Sequence, residues 1–239
     1  MKFEDMINTI QLGDCLEIMK SMSNDSVDVS FTSPPYNSIR HKKYKNYTDD
    51  LDNYYLFLCK FTDELLRITK RTVIVNVQTN YYNRSDVYKY IGKYSKEISR
   101  IIIWNKSNPT PSSMQHKLTN AYEFFMIFSK EESVTINSIF MKDVIDFPIN
   151  SQKIKGHKAV MNSDVADLFI KEFSNKDDIV LDCFMGTGTT ALSCKKYGRN
   201  FIGIEIDKEY FNLSKSRIEE LKKQSSIFDF IKEWYIWIN

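Results

Sequence analysis

The sequence predicts an α/β domain whose sheet is parallel and covered by helices on both faces. Three observations carry that expectation. Short continuous apolar runs alternate with stretches of helical periodicity along most of the chain. The 239 residues are enough for one sizeable domain, able to bury a core without disulfide or metal. Seven glycines and five prolines are too few for long disordered linkers.

The elements follow in order. A short apolar piece at Ile10–Leu12 opens the series, and Val27–Thr32 (VDVSFT) is a strand. Over Leu51–Lys70, Leu51, Tyr54, Tyr55, Leu58, Phe61, Leu65 and Ile68 recur at helical spacing. Thr72–Val77 (TVIVNV) reads as a buried strand, Asp86–Ile98 as a helix, and Ile101–Trp104 and Ala121–Ser129 as strands. Val165–Phe173 is a helix, Asp178–Asp182 a strand, Thr189–Tyr197 a helix and Phe201–Glu205 a strand. Lys208–Gln224 is a helix with mixed charge on its exposed face. That makes seven strands. The tail places Ile227, Phe230, Ile231, Trp234 and Ile238 at helical spacing, a stripe suited to covering the sheet or forming a homodimer; core packing is the simpler reading.

Composition excludes several classes. No stretch approaches 18 consecutive apolar residues, which excludes a spanning helix, and MKFEDMINTIQLGD lacks the apolar core of a signal peptide. A cytoplasmic protein is expected. Cys15, Cys59, Cys183 and Cys194 form no CxxC pair and His41, His116 and His157 are scattered, so no metal site is expected and the thiols are taken as buried. A net charge of +2 neither demands nor forbids nucleic acid, so the distribution of charge must decide.

In open α/β sheets, ligands bind beyond the carboxyl ends of the strands. Two such positions stand out. Asp182–Ala191 (DCFMGTGTTA) runs from a strand end through Gly186 and Gly188 into a helix, and Glu205 ends the next strand 17 residues after Gly188. Glycines admit close approach of backbone, the helix start offers N–H groups, and a carboxylate there accepts both ribose hydroxyls of an adenosine cofactor. The pattern does not say which adenosine cofactor. The second position is Thr32–Asn37 (TSPPYN), directly after VDVSF. Two prolines stiffen the turn, Ser33 offers a hydroxyl beside backbone carbonyls, and Tyr36 offers an aromatic face. Such a cluster suits a planar ring bearing an exocyclic NH₂.

With TSPPYN at 32–37 and FMGTG at 184–188, the chain resembles the β class of amino-methylating DNA methyltransferases, in which the (D/N/S)-P-P-(Y/F) motif precedes the F-x-G-x-G loop. The resemblance spans nearly the whole chain. Gly13-Asp14 matches a G-D element, Trp104–Lys106 a W-x-K segment, Ala121–Phe125 an A-Y-E strand, and GIEID at 203–207 with Tyr210 the acidic cofactor motif. One element departs: where the family often shows G-H-P-A-x-F-P, this chain reads GHKAVMN at 156–162, so no cofactor contact is carried onto it.

The resemblance implies a Rossmann-like S-adenosylmethionine-dependent methyltransferase fold, with a mixed seven-stranded sheet and helices on both faces. It implies a single permuted domain: a catalytic half over about 1–129, a short target-recognition region over about 130–158, a cofactor half over about 159–224 and a C-terminal helix over about 226–238. It assigns S-adenosylmethionine to Asp14, Thr32, Asp182, Phe184, Gly186, Gly188, Thr189, Glu205 and Ile206, and catalysis to Ser33, Pro34, Pro35 and Tyr36. The implied partner is double-stranded DNA, with a cognate restriction endonuclease as a further one. Ser38–Tyr47 (SIRHKKYKNY) carries Arg40, Lys42, Lys43 and Lys45 with no acid, which suits phosphate contact.

The implied reaction methylates an exocyclic amine of a flipped base. Carbon-5 cytosine methylation needs a nucleophilic cysteine after proline, and no Pro-Cys dipeptide occurs. In the family, Ser at the first motif position usually accompanies cytosine N4, and Asp or Asn adenine N6, so N4 is favoured and N6 is the alternative. An RNA or protein-amide methyltransferase, a non-catalytic DNA-binding regulator and a dehydrogenase are the readings kept behind it.

Overall fold

In the computed structural model, residues 2–37, 53–112, 118–130, 134–149, 160–221 and 223 are described. A 3₁₀ turn at Phe3–Met6 leads into β1 (Thr9–Leu12), α1 (Cys15–Lys20), β2 (Val27–Thr32), α2 (Tyr54–Ile68), β3 (Thr69–Val77) and α3 (Arg84–Lys93). Then come β4 (Ile98–Lys106), β5 (Tyr122–Ser129), β6 (Val144–Phe147), α4 (Ser163–Phe173), β7 (Ile179–Asp182), α5 (Thr189–Tyr197) and β8 (Asn200–Glu205). A last helix, α6, runs through 208–221.

The strands form one sheet in the order β1-β8-β7-β2-β3-β5-β4-β6. β5 runs antiparallel to both β3 and β4, and every other pairing is parallel. The sheet is therefore mixed, not all-parallel as the apolar runs alone indicate, and has eight strands rather than seven. The additional strand, β6, lies at the edge within the expected recognition region. Only one of its four residues, Ile145, is buried, so VIDF shows no apolar run to read.

Period-two alternation divides the core. Val73, Val75 and Val77 of β3 and Met126 and Phe128 of β5 face α1, α2 and α3. Ile74, Phe125 and Ile127, with Phe31 of β2, face α4 and α5. On α2, the buried residues Tyr54, Leu58, Phe61, Leu65 and Ile68 repeat at helical spacing, and the Asn53 side chain caps its start by accepting from Leu56 N at 3.0 Å. Fully burying a side chain such as Phe61 or Leu65 contributes about 1.5–3 kcal/mol. α3 ends at Lys93, well short of the Ile98 expected for it, because Ile98 N turns back to Tyr94 O at 2.8 Å and the chain enters β4. α1, absent from the sequence reading, has only six residues, too few to show a periodicity. The four thiols are buried. Among the described residues, no helix is long and apolar enough to cross a membrane.

This topology sets the site. Since β5 alone is reversed, its amino end lies at the same sheet edge as the carboxyl ends of its neighbours. Asp182, Glu205, Thr32, Val77, Lys106 and Glu123 all come to that edge.

Candidate active site

β7 delivers Asp182 to the edge, 5% exposed. One carboxylate oxygen accepts from Thr32 Oγ1 at 2.7 Å and from Phe184 N at 3.0 Å; the other accepts from Thr190 Oγ1 at 2.6 Å. Asp182 thus ties the end of β2, the glycine turn and the start of α5 together. Burial pushes its carboxyl above the ordinary carboxylate value, against the pull of these three donors. The glycine turn needs its glycines. Gly186 has φ +51° and Gly188 φ +85°, and a Cβ on Gly188 would stand 2.9 Å from Ser214 Cβ on α6. Thr189, the first residue of α5, is buried. The Phe184 ring packs on Phe57 and Phe61, with centroids at 5.7 and 5.2 Å.

Glu205 braces the same turn from β8. One oxygen accepts from Gly186 N at 2.7 Å and the other from Asp207 N at 2.8 Å. Burial raises its carboxyl, those two N–H groups lower it, and Asp182 and Asp207 raise it again. Each oxygen keeps acceptor capacity for a further donor. The neighbouring Ile206 is 52% exposed, an apolar surface at the strand end. Gly13 N donates to Glu205 O at 3.0 Å, which brings Asp14 alongside; Asp14 caps α1 by accepting from Leu16 N and Glu17 N.

The TSPPYN turn lies one strand away, since β2 pairs with β7. Pro34 is buried, and Ser33, Pro35 and Tyr36 are half-buried. Main-chain carbonyls of the turn are clamped from two helices' approaches: Tyr54 OH donates to Pro35 O at 2.8 Å, and Asn80 Nδ2 and Asn83 Nδ2 donate to Tyr36 O at 3.0 and 2.7 Å. Below the turn, Ser33 Oγ lies 3.0 Å from Tyr36 OH and 3.1 Å from Asn76 Oδ1. Tyr36 OH lies 2.6 Å from Asn76 Oδ1 and 3.0 Å from Glu123 Oε2. Glu123 pairs with Lys106 at 2.8 Å, both about nine-tenths buried. Burial and the Glu123 carboxylate push the Tyr36 phenol well above its ordinary value, so it stays protonated and holds these bonds.

The structure therefore brings both sequence-derived positions to one edge, joined by the Thr32–Asp182 bond. Arg40, Lys42, Lys43 and Lys45 lie outside the described residues, as does the C-terminal stripe. Sequence reasoning missed Asn76, Asn80 and Asn83, and assigned no role to Lys106 or Glu123. Asn76 had a signal: it is the one polar residue inside TVIVNV after its first position, and a buried polar residue needs a partner.

Comparison with known proteins agrees. A family model described as DNA methylase matches residues 27–155 and 135–216. The type II methyltransferase M.HinfI of Haemophilus influenzae is 30% identical over 251 residues, covering 91% of this chain and 70% of that protein. The cytosine-N4-specific PvuII DNA methyltransferase superposes with a TM-score of 0.72 at 20% identity, over 86% of this chain and 84% of that one, which shows the shared fold. The M1.HpyAVI complex with SAM superposes with a TM-score of 0.62 at 25% identity, over 88% of this chain and 98% of that one. With the matched family model spanning most of its length and the TSPPYN turn and glycine turn set side by side, the chain belongs to the DNA methylases, the amino-directed DNA methyltransferases that act on cytosine N4 or adenine N6.

Proposed function

We propose that this chain transfers a methyl group from S-adenosylmethionine to the N4 amine of a cytosine flipped out of a short DNA target, as the modification enzyme of a restriction-modification system. The observation that carries the reading is the Ser33 turn held beside the glycine turn by Thr32 and Asp182. The type II methyltransferase names of its relatives support the modification role. A permuted division into catalytic and cofactor halves fits the order of the two turns in the chain.

The residues suit the cofactor. Glu205 has acceptor capacity left for ribose hydroxyls, Ile206 offers an apolar face, and Gly186 and Gly188 put no side chain at their own positions in the turn. When bound, its sulfonium supplies an electrophilic methyl group. On the other side, an aromatic amine is a weak nucleophile because its lone pair is delocalised into the ring. Ser33 Oγ and the Pro34 carbonyl accept the amine protons, draw the nitrogen toward tetrahedral geometry and aim its lone pair. No general base is required before transfer; the proton leaves afterwards. Flipping costs a few kcal/mol. Stacking on Tyr36, whose phenol tip is anchored, offsets about 1–3 kcal/mol of it.

Nucleoside mass spectrometry of unmethylated bacterial DNA, incubated with protein and S-adenosylmethionine, tests this. N4-methylcytosine is the expected product. N6-methyladenine would keep the reaction and correct the base, and no product on any tested DNA would overturn the proposal. Tyr36→Ala should abolish turnover and leave cofactor binding nearly unchanged by calorimetry; loss of that binding would make Tyr36 a structural residue.

A further inference from the structure

The polar cluster below the catalytic turn contains more than is needed to hold a loop. We propose that Asn76 and the Lys106–Glu123 pair are positioning residues that keep Ser33 as a hydrogen-bond acceptor only, so that the pocket takes bases presenting an amine and rejects those presenting a carbonyl. This rests on the reading of the site as an amine methyltransferase.

Counting protons limits where the Ser33 proton can point. Asn76 is 1% exposed, and its amide orientation is set because Nδ2 donates to Phe124 O at 3.2 Å. Its Oδ1 therefore faces the two hydroxyls, as an acceptor. Glu123 is 7% exposed, and Lys106 takes its other oxygen at 2.8 Å. A buried carboxylate with its cation is likewise an acceptor. Between them, Asn76 Oδ1 and Glu123 Oε2 meet two hydroxyl protons, those of Ser33 and Tyr36. Each proton has an inward acceptor, and the 3.0 Å Ser33–Tyr36 approach offers a third inward arrangement. In none does the Ser33 proton point outward. Its lone pairs remain for an incoming N–H, while a base carbonyl at that place meets an oxygen with no proton to give. Leaving such an acceptor unpaired costs about 1–3 kcal/mol, on the order of 10- to 100-fold in discrimination.

The topology explains why these residues serve. Asn76 stands on β3, Glu123 at the amino end of β5 and Lys106 at the carboxyl end of β4. Reversal of β5 alone lets a buried ion pair form at the sheet edge behind Tyr36. The charged group and phenol that meet Glu123 are Lys106 and Tyr36, and Tyr54 bears in turn on the Tyr36 phenol.

The test is a double-mutant cycle of Ser33→Ala and Asn76→Leu, read as kcat on bacterial DNA with the cofactor Kd measured in parallel. Asn76→Leu should lower kcat by about 30-fold in the presence of Ser33, and by less than about threefold once Ser33 is alanine. The cofactor Kd should stay unchanged. Equal losses in both backgrounds, or a shifted cofactor Kd, would overturn the proposal by making Asn76 a fold residue. Because Asn76→Leu alone could unfold, Lys106→Met/Glu123→Gln gives a second arm; it removes both charges without leaving one buried alone. It should fold and lose about tenfold in kcat, and unchanged kcat would overturn the role of the pair. One readout is independent of turnover. In protein labelled with ζ-¹³C tyrosine, the Tyr36 resonance, assigned by Tyr36→Phe, should move in Lys106→Met/Glu123→Gln. A resonance that does not move would overturn the hydrogen-bond network. Failure of the wild-type protein to methylate DNA would instead overturn the functional reading while this signal still judged the network.

Discussion

Glu205 braces the glycine turn with both oxygens of one carboxylate, which hold Gly186 N and Asp207 N. Under the proposed function the same oxygens accept the ribose hydroxyls, so removing the carboxylate costs both the brace and that contact. Glu205→Ala is expected to weaken S-adenosylmethionine binding by about tenfold or more by calorimetry, the scale of charge-assisted hydrogen bonds; an unchanged Kd would move the ribose site elsewhere. Asp182 and Glu205 also shape the response to pH. Burial holds both carboxyls above their ordinary values. A carboxyl that protonates more readily folded than unfolded favours the folded state most below its unfolded value of about 4. That contribution is lost as pH rises through the folded value. The Tm difference between wild type and Asp182→Asn should therefore drift against the wild type from about pH 4 to pH 7. A difference constant over that range would deny Asp182 its raised value. At this scale the sequence was most readable where chemistry is local. TSPPYN and GTG announce rigid and permissive backbone within a few residues. Lys106 and Glu123 do not announce each other, because nothing in either segment states that they meet.

Elements carry the next set of consequences. The glycine turn is pressed between α5 and α6, where Gly188 combines a left-handed φ with a Ser214 neighbour that leaves no room for a Cβ. Gly188→Ala should cost about 2–4 kcal/mol, from the strained backbone and from overpacking. In a chain of this size that is a fall in Tm of roughly 5–10 °C, read by thermal unfolding. An unchanged Tm would show that α6 yields freely there. Most strands and helices were legible from periodicity, and the α2 stripe of Tyr54, Leu58, Phe61, Leu65 and Ile68 is buried as the spacing requires. The direction of β5 was not. Alternation places a side chain on one face or the other of a sheet and is the same for a strand read up or down. The edge strand β6 and the six-residue α1 were hidden for simpler reasons: β6 buries only Ile145, and α1 is too short to show a periodicity.

At the scale of the whole molecule, a net charge of +2 supplies no general attraction for DNA, so attraction must be local. The run from Arg40 to Lys45 directly follows the TSPPYN turn in sequence. Neutralising Lys42, Lys43 and Lys45 together should flatten the dependence of DNA affinity on salt, by nearly one unit of log–log slope for each phosphate that no longer has a lysine beside it. A slope that stays put would take this segment off the phosphate backbone. Cofactor binding should not change in the same variant.

The Thr32–Asp182 bond joins residues 150 apart in the chain, across two strands that are direct neighbours in the sheet. Adjacent strands stand about 4.8 Å apart, a spacing fixed by main-chain hydrogen bonds. For the proposed reaction the sheet works as a gauge block. The gap between the two turns is machined into backbone, and a misplacement of about 1 Å, which would cost on the order of 100-fold in rate, is denied to either turn acting alone. On that reading, loops beyond the strand ends can diverge or lengthen without recalibrating the chemistry beneath them.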